Sequence, residues 1–232
     1  MRRVRELLRW PAPLLAPVQA RLRRQGALAT APITLSIVVL SFIATASVGL
    51  SRPIADAADT VLVYRGRDLF HGALWRLPAS ALLAQSWWQW VSTVAIAGLA
   101  AAALEVRISG RALVVCLLLC HCLPTIAVGM FARLTDVAEL ARPDYGMSCI
   151  MIGAVATLAT RARSAPLALL LMLSLAGDPL FNSGVTIAEH LLAAAIGGGA
   201  GALLGRTRQP VGELVHLPSR APAVTVEERL PA

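Results

Sequence analysis

Polar side chains inside apolar stretches are the first candidates for chemistry in this sequence, because a group that ionises or hydrogen-bonds strongly is costly in hydrocarbon. Ser148 and His190 are such residues, and they lie in two different apolar segments. A serine hydroxyl becomes a nucleophile when a histidine within hydrogen-bonding distance withdraws its proton. Taken singly, Ser148 is more typical of helix packing, whereas His190 is either functional or an interhelical hydrogen-bonding residue. The pair predicts nucleophilic catalysis if the fold brings both side chains together.

The composition indicates an integral membrane protein. Of 232 residues, 57% are hydrophobic and 15% are charged, and the mean hydropathy is +0.69. The 21 basic residues are all arginine, and seven of them precede residue 25 beside apolar sequence. This pattern is typical of a membrane topology signal, and it argues against a nucleic-acid partner. Four cysteines lie in apolar runs, where we interpret them as small apolar side chains and expect no metal site. They are Cys116, Cys120, Cys122 and Cys149.

Six apolar segments predict membrane-spanning helices, because a bilayer core of roughly 30 Å is crossed at ~1.5 Å per helical residue. They cover residues 31–50, about 80–104, about 111–131, about 145–160, about 165–180 and about 185–205. The expected fold is therefore an all-α polytopic membrane protein, with a six-helix domain over 31–205. We expect residues 1–30 to form a basic leader at the cytoplasmic membrane surface. The proline-rich tail, 206–232, is expected to be disordered.

The predicted topology places the two candidate residues at one depth. Six spans put both termini on the same side, and the loop arginines indicate the cytoplasm. The fourth and sixth segments then both enter from the outer face, so that Ser148 and His190 each lie roughly 7 to 8 Å below it. The sixth segment also carries Ala193, Gly197 and Gly201 on the His190 face, where small residues permit close helix approach. General tight packing in an alanine-rich protein explains that face equally well.

Several short motifs, in this order, resemble the rhomboid intramembrane serine proteases. They are Trp75-Arg76-Leu77, Gly146-Met147-Ser148, and Ala188-Glu189-His190 followed by Ala193, Gly197 and Gly201. The resemblance covers residues 31–205 and implies a six-helix bundle in which Ser148 is the nucleophile and His190 the general base. It implies a catalytic dyad with no third carboxylate and a reaction that needs no cofactor. The implied substrates are membrane-anchored proteins, cleaved near the outer face of the bilayer. The all-arginine, alanine-rich composition fits the genome of a high-GC bacterium, and the expected location is the bacterial plasma membrane.

The sequence departs from the rhomboid pattern on the second helix. Rhomboids place a histidine and an asparagine there, one turn apart, to help bind the oxyanion; the corresponding residues here are Gln89 and Thr93. Both carry hydrogen-bond donors, and the Ser148 backbone amide supplies a third. We expect Gly146 and Asp144 to line the site. Asp144 is expected on the helical face of Ser148, where it either orients His190, binds a water molecule, or simply favours the helix N-terminus.

Two further interpretations of the chain stay open. One is a rhomboid-like pseudoprotease that keeps Ser148 and His190 but binds client transmembrane helices. The other is a small-molecule transporter, which is the weaker because the sequence shows no internal repeat. Arg76 is expected either to bind lipid phosphate, to cap its loop, or to anchor at the interface. In each case the lipid bilayer is a partner.

Overall fold

The computed structural model describes residues 11–48, 52–135 and 137–206. Helices dominate these residues, which confirms the all-α class. They are α1 (Pro11–Thr30), α2 (Pro32–Val48), α3 (Arg52–Leu62), α4 (Arg76–Ser80), α5 (Trp87–Glu105), α6 (Gly110–Thr135), α7 (Met147–Arg161), α8 (Ala165–Gly177) and α9 (Gly184–Arg206). Three 3-10 turns cover Gly66–Leu69, Val137–Ala141 and Asp178–Leu180, and two-residue strands are β1 (Tyr64–Arg65) and β2 (Pro143–Asp144). The first ten leader residues and the tail beyond 206 lie outside the described residues.

Three of the described helices are long and apolar enough to cross a membrane. They are α5, α6 and the Gly184–Gly205 part of α9, and the bent pair α1 and α2, at 51°, makes a fourth if it is counted as one span. The described helices are thus those of an integral membrane protein. Length does not support the expected count of six: α7 has 15 residues, or about 22 Å, against a core of roughly 30 Å. The helix α8 is shorter still, with 13 residues.

Helix α7 is the centre of the fold, packed against α5, α6, α8 and α9. Its contact with α9 is a contact between backbones. A Cβ atom built on Gly197 would lie 2.4 Å from the carbonyl oxygen of Gly153, and one on Gly201 would lie 2.5 Å from that of Thr157. Ala193, one turn earlier, is fully buried. The small residues therefore seat the helix that carries His190 directly on the helix that carries Ser148.

Two glycines of α9 give a matched test of this packing. Gly197→Ala should lower the free energy of unfolding by about 1–3 kcal/mol, because the added methyl group meets the α7 backbone, which cannot rotate away. Gly199→Ala should leave it unchanged or raise it by up to about 1 kcal/mol, since nothing lies within 4 Å and alanine favours a helix. Denaturant unfolding of both proteins in detergent measures the difference. Equal stabilities would show that α9 does not contact α7 this closely.

The segment between α3 and α5 is a folded loop that contains α4 and contacts the residues just before α7. Asp68 accepts hydrogen bonds from the Arg65 backbone N at 2.8 Å and from Arg76 Nη1 at 3.3 Å. Of the three roles considered for Arg76, this contact supports the second, in which Arg76 caps its own loop. The strand β1 pairs antiparallel with β2, so that Tyr64 lies opposite Asp144. This pairing brings the loop to the residues that precede Ser148.

Candidate active site

Ser148 and His190 form a hydrogen bond between α7 and α9. Ser148 is the second residue of α7 and His190 the seventh of α9. Serine Oγ lies 2.9 Å from His190 Nε2, a normal hydrogen-bond length. The imidazole is 4% exposed, whereas the serine is only partly buried. The structure thus brings together the two residues singled out by type and depth, with the base shielded and the nucleophile accessible.

The other imidazole nitrogen is held by a carboxylate. His190 Nδ1 lies 2.5 Å from Asp178 Oδ2, and Asp178 Oδ1 accepts a hydrogen bond from Asn182 Nδ2 at 2.7 Å. Asp178 is 9% exposed and begins the 3-10 turn that follows α8. A carboxylate at Nδ1 favours the tautomer with its proton there, which leaves the Nε2 lone pair free to accept the proton of Ser148. Two consecutive hydrogen bonds therefore join Ser148, His190 and Asp178.

The expectation of a Ser148–His190 dyad with no third carboxylate is wrong, because the Asp178 carboxylate contacts His190. Asp178 was not recognised from the sequence because it falls at the end of the fifth apolar segment. Asp144 was the acid considered as the residue that orients His190. The available signal was the Asp178-Pro179 pair directly after an apolar helix. Such a pair ends a helix and leaves an acid in a turn, where its side chain is able to reach a neighbouring helix.

Asp144 lies beside the site but not where the sequence indicated. It belongs to β2, and α7 begins only at Met147, so the two residues do not share a helical face. Its Oδ2 accepts a long hydrogen bond of 3.4 Å from Thr125 Oγ1. Burial raises the pKa of the Asp144 carboxyl, while His121, the Thr125 hydroxyl and His190 act in the opposite direction. Asp144 is thus a half-buried acid with one weak hydrogen-bond partner among the described residues.

Gly146 does not line the cavity; it packs against an imidazole instead. A Cβ atom at this position would lie 1.9 Å from Cε1 of His121. His121 is fully buried, and its Nε2 lies 2.9 Å from the Leu77 carbonyl oxygen and 3.1 Å from Ser80 Oγ. The Gly146 N–H donates to the Ser80 carbonyl at 3.0 Å. The glycine therefore allows the start of α7 to lie against α6 and the α4 region, which fixes the position of Ser148.

A cavity of about 540 Å³ opens onto the serine and the histidine. Since a water molecule occupies about 30 Å³ of liquid volume, this space admits both water and an extended peptide. Gln89 and Thr93, the residues expected to bind an oxyanion, both line it. The Gln89 Oε1 atom accepts a hydrogen bond from the Gln85 backbone N at 2.6 Å. Its amide nitrogen is then the end available as a donor.

The buried cysteines pack between helices. Cys116 Sγ lies 3.3 Å from Thr157 Oγ1 of α7. A Cβ atom built on Gly153 would lie 2.5 Å from Cys120 Sγ. Within residues 11–48, 52–135 and 137–206, no group of three or more His, Cys, Asp and Glu side chains is arranged to hold a metal ion.

No protein-family model, no curated protein and no solved structure matches this chain. The function of this chain is therefore inferred from the geometry of the site and from the motifs in the sequence.

Proposed function

We propose that this protein is a rhomboid-like intramembrane serine endopeptidase that cleaves membrane-anchored proteins near the outer face of the bilayer. One observation carries the proposal, namely the hydrogen-bonded line Ser148–His190–Asp178, with distances of 2.9 Å and 2.5 Å. Structural serines in membrane helices usually bond to their own backbone, as Ser92 does here. A serine whose hydroxyl meets an imidazole already oriented by a carboxylate is arranged for nucleophilic attack.

The proposed reaction proceeds through an acyl-enzyme. Ser148 Oγ attacks the carbonyl carbon of the scissile peptide bond, and His190 Nε2 takes the serine proton. Asp178 stabilises the imidazolium that forms, without itself taking the proton. The C–N bond then breaks as His190 gives the proton to the leaving amine. Water from the cavity, deprotonated by His190, hydrolyses the ester and regenerates Ser148.

The carbonyl oxygen becomes an anion during both attacks and needs donors. Gln89 and Thr93 supply an amide and a hydroxyl from the cavity wall, and the Ser148 backbone N–H is the third candidate. This set replaces the histidine and asparagine of the family that the sequence resembles. It makes the activity depend on two side chains of α5, a helix that packs against α7.

The proposal includes a six-helix membrane domain over residues 31–205, in a bacterial plasma membrane with both termini cytoplasmic. In it, α2, α5, α6, α7, α8 and α9 are the six helices. The short helix α7 supports this arrangement, because its N-terminus would lie below the outer surface at the bottom of a cavity filled from outside. Water would then reach Ser148 without crossing hydrocarbon.

A second candidate function is a pseudoprotease that binds client helices. The substitution of Gln89 and Thr93 for the usual oxyanion ligands favours it, because losing one donor costs about 10²- to 10³-fold in turnover. An apolar groove of about 460 Å³ between α6 and α9 also favours the pseudoprotease function, since the groove shares Val128, Ala132 and Val185 with the cavity. A bound transmembrane helix would lie in this groove, whether it is then cleaved or not.

Cleavage of membrane-anchored reporters separates the two functions. The full-length protein is reconstituted in liposomes with single-span reporters whose segment at the outer membrane surface is randomised. Mass spectrometry then identifies new termini. We expect cleavage by the wild-type protein and by Ser92→Ala, whose serine lines the same cavity but bonds to its own helix. Ser148→Ala should give no products. Crosslinking of reporters without any cleavage would favour the pseudoprotease.

A further inference from the structure

The cavity wall beside Ser148 contains polar groups that the proposed reaction does not use. Tyr64, Asp144 and Glu189 all line the cavity, each from a different element. Tyr64 is 1% exposed, and its hydroxyl has no hydrogen-bond partner. Glu189 is 8% exposed and lines the cavity from α9, next to His190 in the sequence. We call these three residues the acidic subsite.

Carboxyl groups outnumber arginines in the cavity lining around the acidic subsite. Burial, and after it the carboxyl groups of Asp144, Asp68 and Glu189, raise the pKa of the Tyr64 phenol. Asp178 is a third acid of the same cavity, but both of its oxygens are already bonded, to His190 and Asn182. Arg142 is the arginine of the lining, and it has an interaction partner of its own.

Buried carboxylates are stable when a cation with several N–H donors compensates them. The acidic subsite offers two carboxyl groups and a phenol oxygen without such a donor, next to an open volume. An ammonium group supplies three N–H donors and a guanidinium five, and the positive charge of either favours the ionised form of a neighbouring carboxyl group. An apolar or anionic group would instead leave these oxygens unpaired, or would repel them.

We propose that the acidic subsite binds the basic side chain of a substrate, an arginine or a lysine close to the scissile bond. This inference rests on the proposed function for the identity of the ligand, because it places that side chain beside the Ser148 nucleophile. The unpaired buried hydroxyl of Tyr64 carries it, together with the carboxyl groups of Asp144 and Glu189 in the same cavity wall. The cleaved proteins would then be those with a positive residue at the outer membrane surface.

Ligand binding to the full-length Ser148→Ala protein in detergent tests the subsite without requiring turnover. Benzamidine, a cation, is compared by isothermal titration calorimetry with benzamide, its neutral analogue of the same shape. We expect benzamidine to bind at least tenfold more tightly. Equal affinities, or a preference for benzamide, would overturn the proposal whether or not Ser148 is an active nucleophile.

Substitutions then locate the preference. Glu189→Gln and Tyr64→Phe, each made in the Ser148→Ala protein, should reduce the ratio of benzamidine to benzamide affinity severalfold. Tyr64→Phe removes a hydroxyl that has no partner, so this variant should fold even if Glu189→Gln does not. Asp56→Asn, which changes an exposed acid of α3 outside the cavity lining, should keep the ratio. A ratio unchanged in Tyr64→Phe and in a folded Glu189→Gln protein would place the cation elsewhere and contradict the subsite.

A peptide pair identifies the source of the cation. Acetyl-Ala-Arg-Ala-amide should bind to the Ser148→Ala protein at least fivefold more tightly than the same peptide with citrulline, which is neutral but has the same shape as arginine. A benzamidine preference without an arginine preference would overturn the assignment to a substrate side chain. Failure of the proposed function is measured separately, as an absence of covalent reaction at Ser148 in the wild-type protein.

Discussion

Replacing His190 with alanine is expected to lower the turnover of a cleaved reporter about a millionfold, and replacing Ser148 with alanine should do the same. The two losses should not add, because each variant removes the same step. Without the imidazole at 2.9 Å, the serine hydroxyl keeps its proton, and without the hydroxyl the imidazole has no nucleophile to activate. Reporter cleavage in liposomes measures kcat for the two single variants and for the double variant.

The double variant makes this prediction specific. It should be no slower than either single variant, within the error of the measurement. A double variant that loses activity as the product of both factors would show that the two residues act independently. Ser92→Ala is the matched serine control, and thermal unfolding of all four proteins in detergent separates lost chemistry from lost folding.

Asp178→Asn is expected to lower kcat about ten thousandfold while leaving KM nearly unchanged. The carboxylate accepts a hydrogen bond from His190 Nδ1 at 2.5 Å, whereas an asparagine amide can present an N–H to the same atom. The imidazole would then carry its proton on Nε2, and it could no longer accept the proton of Ser148. Steady-state kinetics on the cleaved reporter measure both constants.

Recovery by a longer carboxylate distinguishes positioning from a merely structural role. Asp178→Glu should regain part of the kcat that Asp178→Asn loses, because it restores an acceptor for Nδ1. If Asp178 had only a structural role, Asp178→Glu should have a lower kcat than Asp178→Asn, since glutamate fits the buried turn less well than the isosteric asparagine. If Asp178→Asn keeps the wild-type kcat, the site works as a dyad.

The sequence was informative where function depends on residue type and depth. Ser148 and His190 stood out because hydrocarbon makes polar groups rare, and helical rise was enough to estimate that both lie at one level. Gly197 and Gly201 stood out because spacing alone places them on the face of His190. These inferences use only local geometry, and the structure brings the same residues together at the contact of α7 and α9.

Non-local contacts were beyond the sequence. Asp178 reaches His190 because α8 ends in a 3-10 turn that points the carboxylate at α9, and no periodicity encodes that direction. Tyr64 reaches the cavity because β1 pairs with β2 across a separation of 80 residues, Tyr64 to Asp144. Tyr64 was not among the site residues expected from the sequence.

Helix ends were also beyond the sequence. Counting apolar residues gives the length of a hydrophobic stretch, but the start of α7 depends on the fit of Gly146 against the ring of His121. The apolar stretch about 165–180 was taken as one span, but its last residues form the turn that contains Asp178. For this reason the predicted number of spans exceeded the number of helices that are long enough.

The most direct test of the central claim is to map the adduct of a fluorophosphonate probe on the full-length protein, by intact mass and by peptide mapping. An activated serine attacks the phosphorus and expels fluoride, which leaves one stable phosphonyl group on its oxygen. We expect a single adduct on Ser148 that is absent in Ser148→Ala and His190→Ala but present in Ser92→Ala. A folded wild-type protein that acquires no adduct, or acquires it on another residue, would contradict the account.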